Sequence, residues 1–169
     1  MYIDQYFEAV EACYRRIRET QRAVIQRAAA AVAEAIAQKG VLAVMDTGHM
    51  LQHEAYLRAG GLLAIAPFRY ELVLENEVLH RKPAYTPEQT ADFEGRRVSL
   101  ALDSSNLRQG DVLLINSNSG RTMNVIEAAH AAKTRGITTI GLASLDQMTQ
   151  CSAAHPSGKK LLDVVDIAI

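Results

Sequence analysis

The stretch Asp111-Val-Leu-Leu-Ile-Asn-Ser-Asn-Ser-Gly-Arg-Thr122 decides the fold of this chain. Its first half is a continuous apolar run, the pattern of a strand buried on both faces. After Thr122, residues Val125, Ile126, Ala128, Ala129 and Ala132 recur on one side at helical spacing. The six residues between hold Ser117, Ser119 and Thr122 around Gly120. A buried strand that passes through such a turn into a helix builds an anion site. The first helical turn presents N–H groups without intrahelical partners and the positive end of the dipole. Hydroxyls add donors, and glycine lets backbone approach a ligand closely. Ordinary N-capping by Ser119 or Thr122 is the plainer reading, worth about 1 kcal/mol. Three hydroxyls and a glycine in one loop exceed what one cap requires. The acidic group expected here is a phosphate.

Working outward toward the N-terminus, residues 3–38 contain neither Gly nor Pro. Ile3, Phe7, Val10, Tyr14, Ile17, Val24, Ala28, Ala31 and Ala35 recur at three- to four-residue steps, with a gap near Thr20-Gln21. The spacing predicts one long helix, or two with a bend at the gap, ended by Lys39-Gly40. Its apolar row has two natural destinations, the protein's own sheet and a partner subunit. Val41–Met45 then reads as a first buried strand, Asp46-Thr47-Gly48-His49 as its turn, and residues 50–59 as a helix. Leu62–Ala66 reads as a second strand, ended by Pro67. Residues 67–87 lack periodicity and read as a long loop near the strand ends, a common place for a ligand lid. A helix is predicted from Pro87 to about Leu107.

Beyond the opening stretch, Ile137–Ala143 reads as a fourth strand, residues 144–160 as a polar loop, and Val164–Ile169 as a fifth strand. Strands alternating with helices predict a three-layer α/β/α sandwich on a parallel sheet. Right-handed crossovers favour the order 2-1-3-4-5, with ligand at the carboxyl ends of the first and third strands. Thr47-Gly48 and Ser117–Thr122 both fall there.

Composition narrows the function. The chain is 49% apolar and 22% charged, with a formal net charge of −1 and no Trp. Nothing in that balance favours nucleic acid or an anionic membrane. Cys13 and Cys151 lie far apart without CxxC spacing, and read as two free, buried thiols of a reduced compartment. The N-terminus lacks a signal-peptide layout, and the longest apolar stretch, Ala28 to Ala37, is interrupted by Glu34. A soluble cytoplasmic protein is expected. The turn Asp46-Thr-Gly-His-Met-Leu51 lacks a Gly-x-Gly-x-x-Gly fingerprint, and no Walker A motif is present. A flavodoxin-type hydroxyl loop belongs after the first strand rather than the third. Nucleotide and flavin binding are therefore disfavoured, and no cofactor is called for.

Val44-Met-Asp-Thr-Gly-His49, the lead-in Gly110-Asp-Val-Leu-Leu-Ile115 and Ser117-Asn-Ser-Gly-Arg-Thr122 resemble the sugar isomerase (SIS) domain family. Arg58-Ala-Gly-Gly-Leu62 and His155-Pro-Ser-Gly-Lys159 are similar to a group of small sugar-isomerase-domain proteins within it. The resemblance implies a single SIS domain over residues 1–169, as a helical segment 1–39 and an α/β core 40–169 without the usual C-terminal helix. It also implies a flavodoxin-like five-stranded sheet, a phosphosugar ligand, and a homodimer or higher homo-oligomer with sites near the subunit interface. By that resemblance Ser117, Asn118, Ser119, Gly120 and Thr122 bind phosphate, and Thr47 and Gly48 line the sugar site. Gly48 stands where the family often has Ser.

Sugar isomerisation moves a proton between neighbouring carbons and needs acid–base groups. Candidates are Glu54, His49 and His155, with His53 and His80 as weaker alternatives and Lys159 as a phosphate-holding charge. His49 and His53 share one helical face, but a His-x-x-x-His pair alone lacks the third ligand that zinc requires, so no metal is expected. The expected function is phosphosugar binding with sugar-phosphate isomerisation or a related proton transfer. The alternative is a non-catalytic phosphosugar-sensing module.

Overall fold

The computed structural model describes residues 1–47, 51–56, 58–61, 64–73, 75 and 84–169. Two helices open the chain, α1 (Tyr2–Thr20) and α2 (Arg22–Ala37). The break falls at Gln21, in the gap of the apolar row. The backbone bonds Gln21 N–H to Ile17 O (2.8 Å) and Ile25 N–H to Gln21 O (2.9 Å) bridge it. Then follow β1 (Leu42–Asp46), α3 (Leu51–Ala55), β2 (Ile65–Pro67), α4 (Pro87–Ser104), β3 (Val112–Asn116), α5 (Met123–Thr134), β4 (Thr138–Leu142), α6 (Leu145–Gln150), α7 (Leu161–Val164) and β5 (Ile167–Ala168). The strands form one parallel sheet in the order β2-β1-β3-β4-β5. This is the three-layer architecture and strand order expected.

The period-2 geometry of the strands divides the core in two. Ala43 and Met45 of β1, with Leu113 and Ile115 of β3, face α4, α5 and α7. Leu42, Val44 and Val112 face the other way, onto Ala28 and Ala35 of α2. Val24, Ala31 and Val32 pack on that second cluster, as do Leu114 and Ile169. So α2 also packs on β5. The row from Ile3 to Ala35 therefore divides: its second half lies on the sheet. Helix α1 buries no residue, and Ile3, Phe7, Tyr14 and Ile17 are exposed.

One buried carboxylate sets the start of the two central strands. Asp111 accepts from Val41 N–H (2.9 Å) and Arg108 N–H (2.8 Å) and is 3% exposed. Helix α4 begins as its sequence implies, with Pro87 in the first turn and a capping box. Thr86 N–H donates to Gln89 Oε1 (3.0 Å), and Gln89 N–H donates to Thr86 Oγ1 (3.3 Å).

Four local expectations need correcting. Strand β2 runs over Ile65–Pro67 and takes in the Pro67 expected to end it, which pairs with Val44; Leu62 and Leu63 of the expected strand lie outside the described residues. The expected fifth strand over 164–169 is shorter: Val164 ends a turn of helix, α7, and β5 is the two residues Ile167–Ala168. Leu161 and Val164, three apart, both point into the core, so helical spacing wins over extension. The polar loop 144–160 contains α6, capped by Ser144 Oγ accepting from Gln147 N–H (3.4 Å). Finally, the cysteines are free as expected, but Cys13 is exposed on α1 and Cys151 half-buried. Cys13 stays exposed because α1 buries none of its residues.

Candidate functional site

A cleft of about 690 Å³ opens at the carboxyl ends of β1 and β3. Those ends are joined by side chains. Asn116 Nδ2 donates to Asp46 Oδ1 (2.8 Å), and Thr47 gives its N–H (3.3 Å) and hydroxyl (3.0 Å) to the Asn116 carbonyl. Asp46 and Thr47 line the cleft, at the topological switch point where open α/β sheets take ligands.

The loop 117–122 leaves β3 with Ser117 N–H bonded to Leu142 O (3.0 Å) and turns through Gly120, whose φ of +56° suits glycine. A Cβ at Gly120 would lie 3.0 Å from Leu161 Cβ. Three of the loop's carbonyls face the segment after β4. Asn118 O accepts from Ser144 N–H (2.9 Å), Gly120 O from Leu161 N–H (2.8 Å) and Arg121 O from Ala154 N–H (3.4 Å). The first-turn N–H groups of α5, like those of any helix, have no intrahelical acceptor. Thr122 occupies the N-cap position but makes no capping bond through its side chain. Among the described residues no hydrogen bond engages the hydroxyls of Ser117, Ser119 or Thr122. The capping explanation for this hydroxyl cluster is thus not the one the geometry follows.

The residues named from the sequence separate into groups. Thr47 and Thr122 line the cleft, together with Met123 and Asn124 at the start of α5. Ser117, Asn118, Ser119 and Gly120 form the loop behind that rim and are not in its lining, Ser117 being 3% exposed. Glu54 and His53 are exposed on α3 and stand outside the cleft, the Glu54 carbonyl accepting from Arg58 Nε (2.7 Å). His155 is turned toward α5: its Nε2 lies 2.8 Å from Glu127 Oε1, and its Nδ1 lies 2.7 Å from Ser157 Oγ. Lys159 is exposed and outside the lining. Its neighbour Lys160 reaches the Met148 carbonyl through Nζ. Gly48, His49 and His80 lie outside the described residues. Among the described residues no group of three or more His, Cys, Asp and Glu side chains comes within reach of one metal ion.

Sequence reasoning missed the wall opposite the strand ends. Phe68 and Tyr70, whose rings lie 5.7 Å apart, enter the lining from the loop after β2, as do Glu94 and Arg97 from α4. Arg97 Nη1 donates to Glu94 Oε1 (2.8 Å), and its guanidinium sits 5.9 Å from the Tyr70 ring centre and 5.8 Å from that of Phe93. The Tyr70 hydroxyl is enclosed without a partner. Burial first, then the Glu94 charge, pushes that phenol up to about 12, with Arg97 opposing. Tyr56 is also raised, by burial and then by the Asp46 carboxylate. The available signal was helical phase: Glu94, Val98 and Ala101 follow one another on one side of the predicted helix, and Val98 is wholly buried.

A parallel sheet in this order, with a hydroxyl-rich loop after its third strand, defines an SIS-type α/β protein. The family model described as the SIS domain matches residues 5–144, and the chain belongs to that family. A UPF0309 protein of Geobacillus thermodenitrificans is 31% identical over 169 residues, covering 99% of this chain and 66% of its own length. A second, of Thermoanaerobacter pseudethanolicus, is 35% identical over 173 residues with 99% and 66% covered. This chain thus spans just under two thirds of the length of those relatives. Among solved structures, the phosphoheptose isomerase GmhA of Neisseria gonorrhoeae superposes with a TM-score of 0.58 at 19% identity, covering 91% of this chain and 81% of that one. A phosphoheptose isomerase of Francisella tularensis gives 0.53 at 16% identity, with 91% and 80% covered. These two share the fold.

Proposed function

We propose that the cleft binds a phosphorylated sugar, with the phosphate at the loop 117–122 and the start of α5. The observation that carries this reading is the set of loop hydroxyls left without partners while the loop carbonyls are turned away. The SIS family membership and the phosphoheptose isomerases that share the fold support it. The associated chemistry is sugar-phosphate isomerisation or a related proton transfer, in a homodimer or higher homo-oligomer.

A non-catalytic sensing module is the second reading. It gains support from His155, whose two ring nitrogens are both engaged within the chain.

A thermal-shift screen tests the ligand class: hexose, heptose and amino-sugar phosphates, each against its unphosphorylated sugar. Stabilisation that requires the phosphate is expected, because a ligand that binds only the native state raises its melting temperature. Equal shifts with and without phosphate would overturn the assignment. An aldose–ketose interconversion assay on the compounds that bind then separates enzyme from module.

A further inference from the structure

Among the described residues, the carboxylates that line the cleft are Asp46 and Glu94. Neither belongs to the acid–base set the sequence put forward, and Glu54 of that set stands outside. We propose that Glu94 grips the sugar end of the ligand by accepting hydrogen bonds from a pair of ring hydroxyls, with the Tyr70 hydroxyl as the neighbouring donor. This rests on the phosphosugar reading and adds the class of sugar: one with free hydroxyls at the end remote from the phosphate.

An ionised carboxylate only accepts, a phenol both donates and accepts, and a sugar hydroxyl can give to one group while receiving from another. Glu94 is 18% exposed on its side chain, so a hydrogen bond to it is made largely out of water. Arg97 is the group that holds it there. The guanidinium bonds one carboxylate oxygen and rests beside two aromatic rings. A carboxylate fixed in this way loses little freedom when a ligand arrives.

Tyr70 supplies the second observation. An enclosed hydroxyl without a partner is a costly feature, and here it occurs in a residue that lines the cleft. A polyhydroxylated ligand gives that phenol an acceptor and gives Glu94 a donor. The anion loop and this wall border one cavity, through Thr122 and Asn124 on α5 and Glu94 on α4. One molecule with a phosphate at one end and hydroxyls at the other meets both.

Isothermal titration on the full chain tests this with glucose, fructose and glucosamine 6-phosphates, and inorganic phosphate. Glu94→Gln keeps the shape and removes the charge. It is expected to weaken the sugar phosphates by about 10- to 100-fold while inorganic phosphate binds as before. Ser119→Ala combined with Thr122→Ala is expected to weaken both kinds of probe. A Glu94→Gln protein that binds the sugar phosphates as tightly as wild type overturns the role of Glu94 and leaves the phosphate reading standing. Wild type that binds none of the sugar phosphates overturns both. If Glu94→Gln does not fold, Glu94→Asp retains the charge and shortens the reach. Undiminished sugar-phosphate affinity in that variant overturns the proposal equally.

Discussion

Glu127 Oε1 lies 2.8 Å from His155 Nε2, joining the middle of α5 to the segment between α6 and α7. The Ser157 N–H donates to His155 Nδ1 at 3.1 Å, so Nδ1 is an acceptor and Nε2 carries the proton that Glu127 receives. The other Glu127 oxygen, Oε2, stands 3.0 Å from where a Cβ on Gly95 would be. A glycine in the middle of α4 thus leaves room for the carboxylate between two packed helices. The anchored segment supplies the Ala154 and Leu161 N–H groups that hold the loop carbonyls of Arg121 and Gly120. The histidine is thereby tied to the loop 117–122 through backbone rather than through the cleft.

Removing either partner of that pair strands a largely enclosed polar group, the side chains being 10% and 21% exposed. His155→Ala and Glu127→Ala are each expected to destabilise the fold by about 1–3 kcal/mol. The double variant is expected to cost less than the sum, because partners in one hydrogen bond are coupled. Urea denaturation of the four proteins measures this. Strict additivity would mean that the two side chains act independently.

Ser119→Ala and Thr122→Ala should leave stability nearly untouched, since neither hydroxyl has an intramolecular partner. A change within about 0.5 kcal/mol is expected for each. Phosphosugar affinity should fall at least about tenfold in the double variant, as expected for losing hydrogen bonds to a charged group. Paired melting and titration curves check the contrast. A large loss of stability would restore the capping explanation.

Asp111→Ala is the stability counterpart. Its carboxylate accepts the N–H groups of Val41 and Arg108, and both lose that partner when it is removed. A loss on the order of 3 kcal/mol is expected, read as a lower urea midpoint with the slope unchanged. Gly40, whose Cβ would come 2.9 Å from Asp111 Oδ1, should respond in the same direction when replaced by Ala.

What could be read in advance follows from where the physics is local. The run from Asp111 to Asn116 and the buried face Val125, Ile126, Ala128, Ala129 and Ala132 each sit in one element whose period is fixed by its own geometry. The break at Gln21 and the capping of α4 at Thr86 are local too. The wall formed by Tyr70, Glu94 and Arg97 is not. It depends on how α4 packs against its neighbours and on the course of the chain after Pro67, neither of which leaves a spacing in the sequence. The fifth strand, expected over Val164–Ile169, came out shorter for a different reason. Short apolar runs fit helix and strand alike, and only the sheet edge decides between them.

That sheet edge carries a pH dependence. Asp166 Oδ2 accepts from the Thr139 N–H (2.9 Å) and hydroxyl (2.7 Å), and Oδ1 lies 3.0 Å from Lys133 Nζ. Burial is the largest single influence and pushes the carboxyl up, but the two Thr139 bonds and Lys133 together outweigh it. The group ends below its ordinary value of 3.8. A carboxyl held lower in the folded state than in the unfolded chain contributes stability above the unfolded value and loses it as pH falls through the folded one. Wild type should therefore be more stable than Asp166→Asn at pH 7. The gap should stay level down to about pH 5 and close progressively below about pH 4. Urea midpoints of the two proteins, compared between pH 7 and the acid limit of folding, measure the gap. A gap that stayed constant into acid would show that the carboxylate's charge contributes nothing at β5, leaving shape and neutral hydrogen bonding to hold the strand against Thr139.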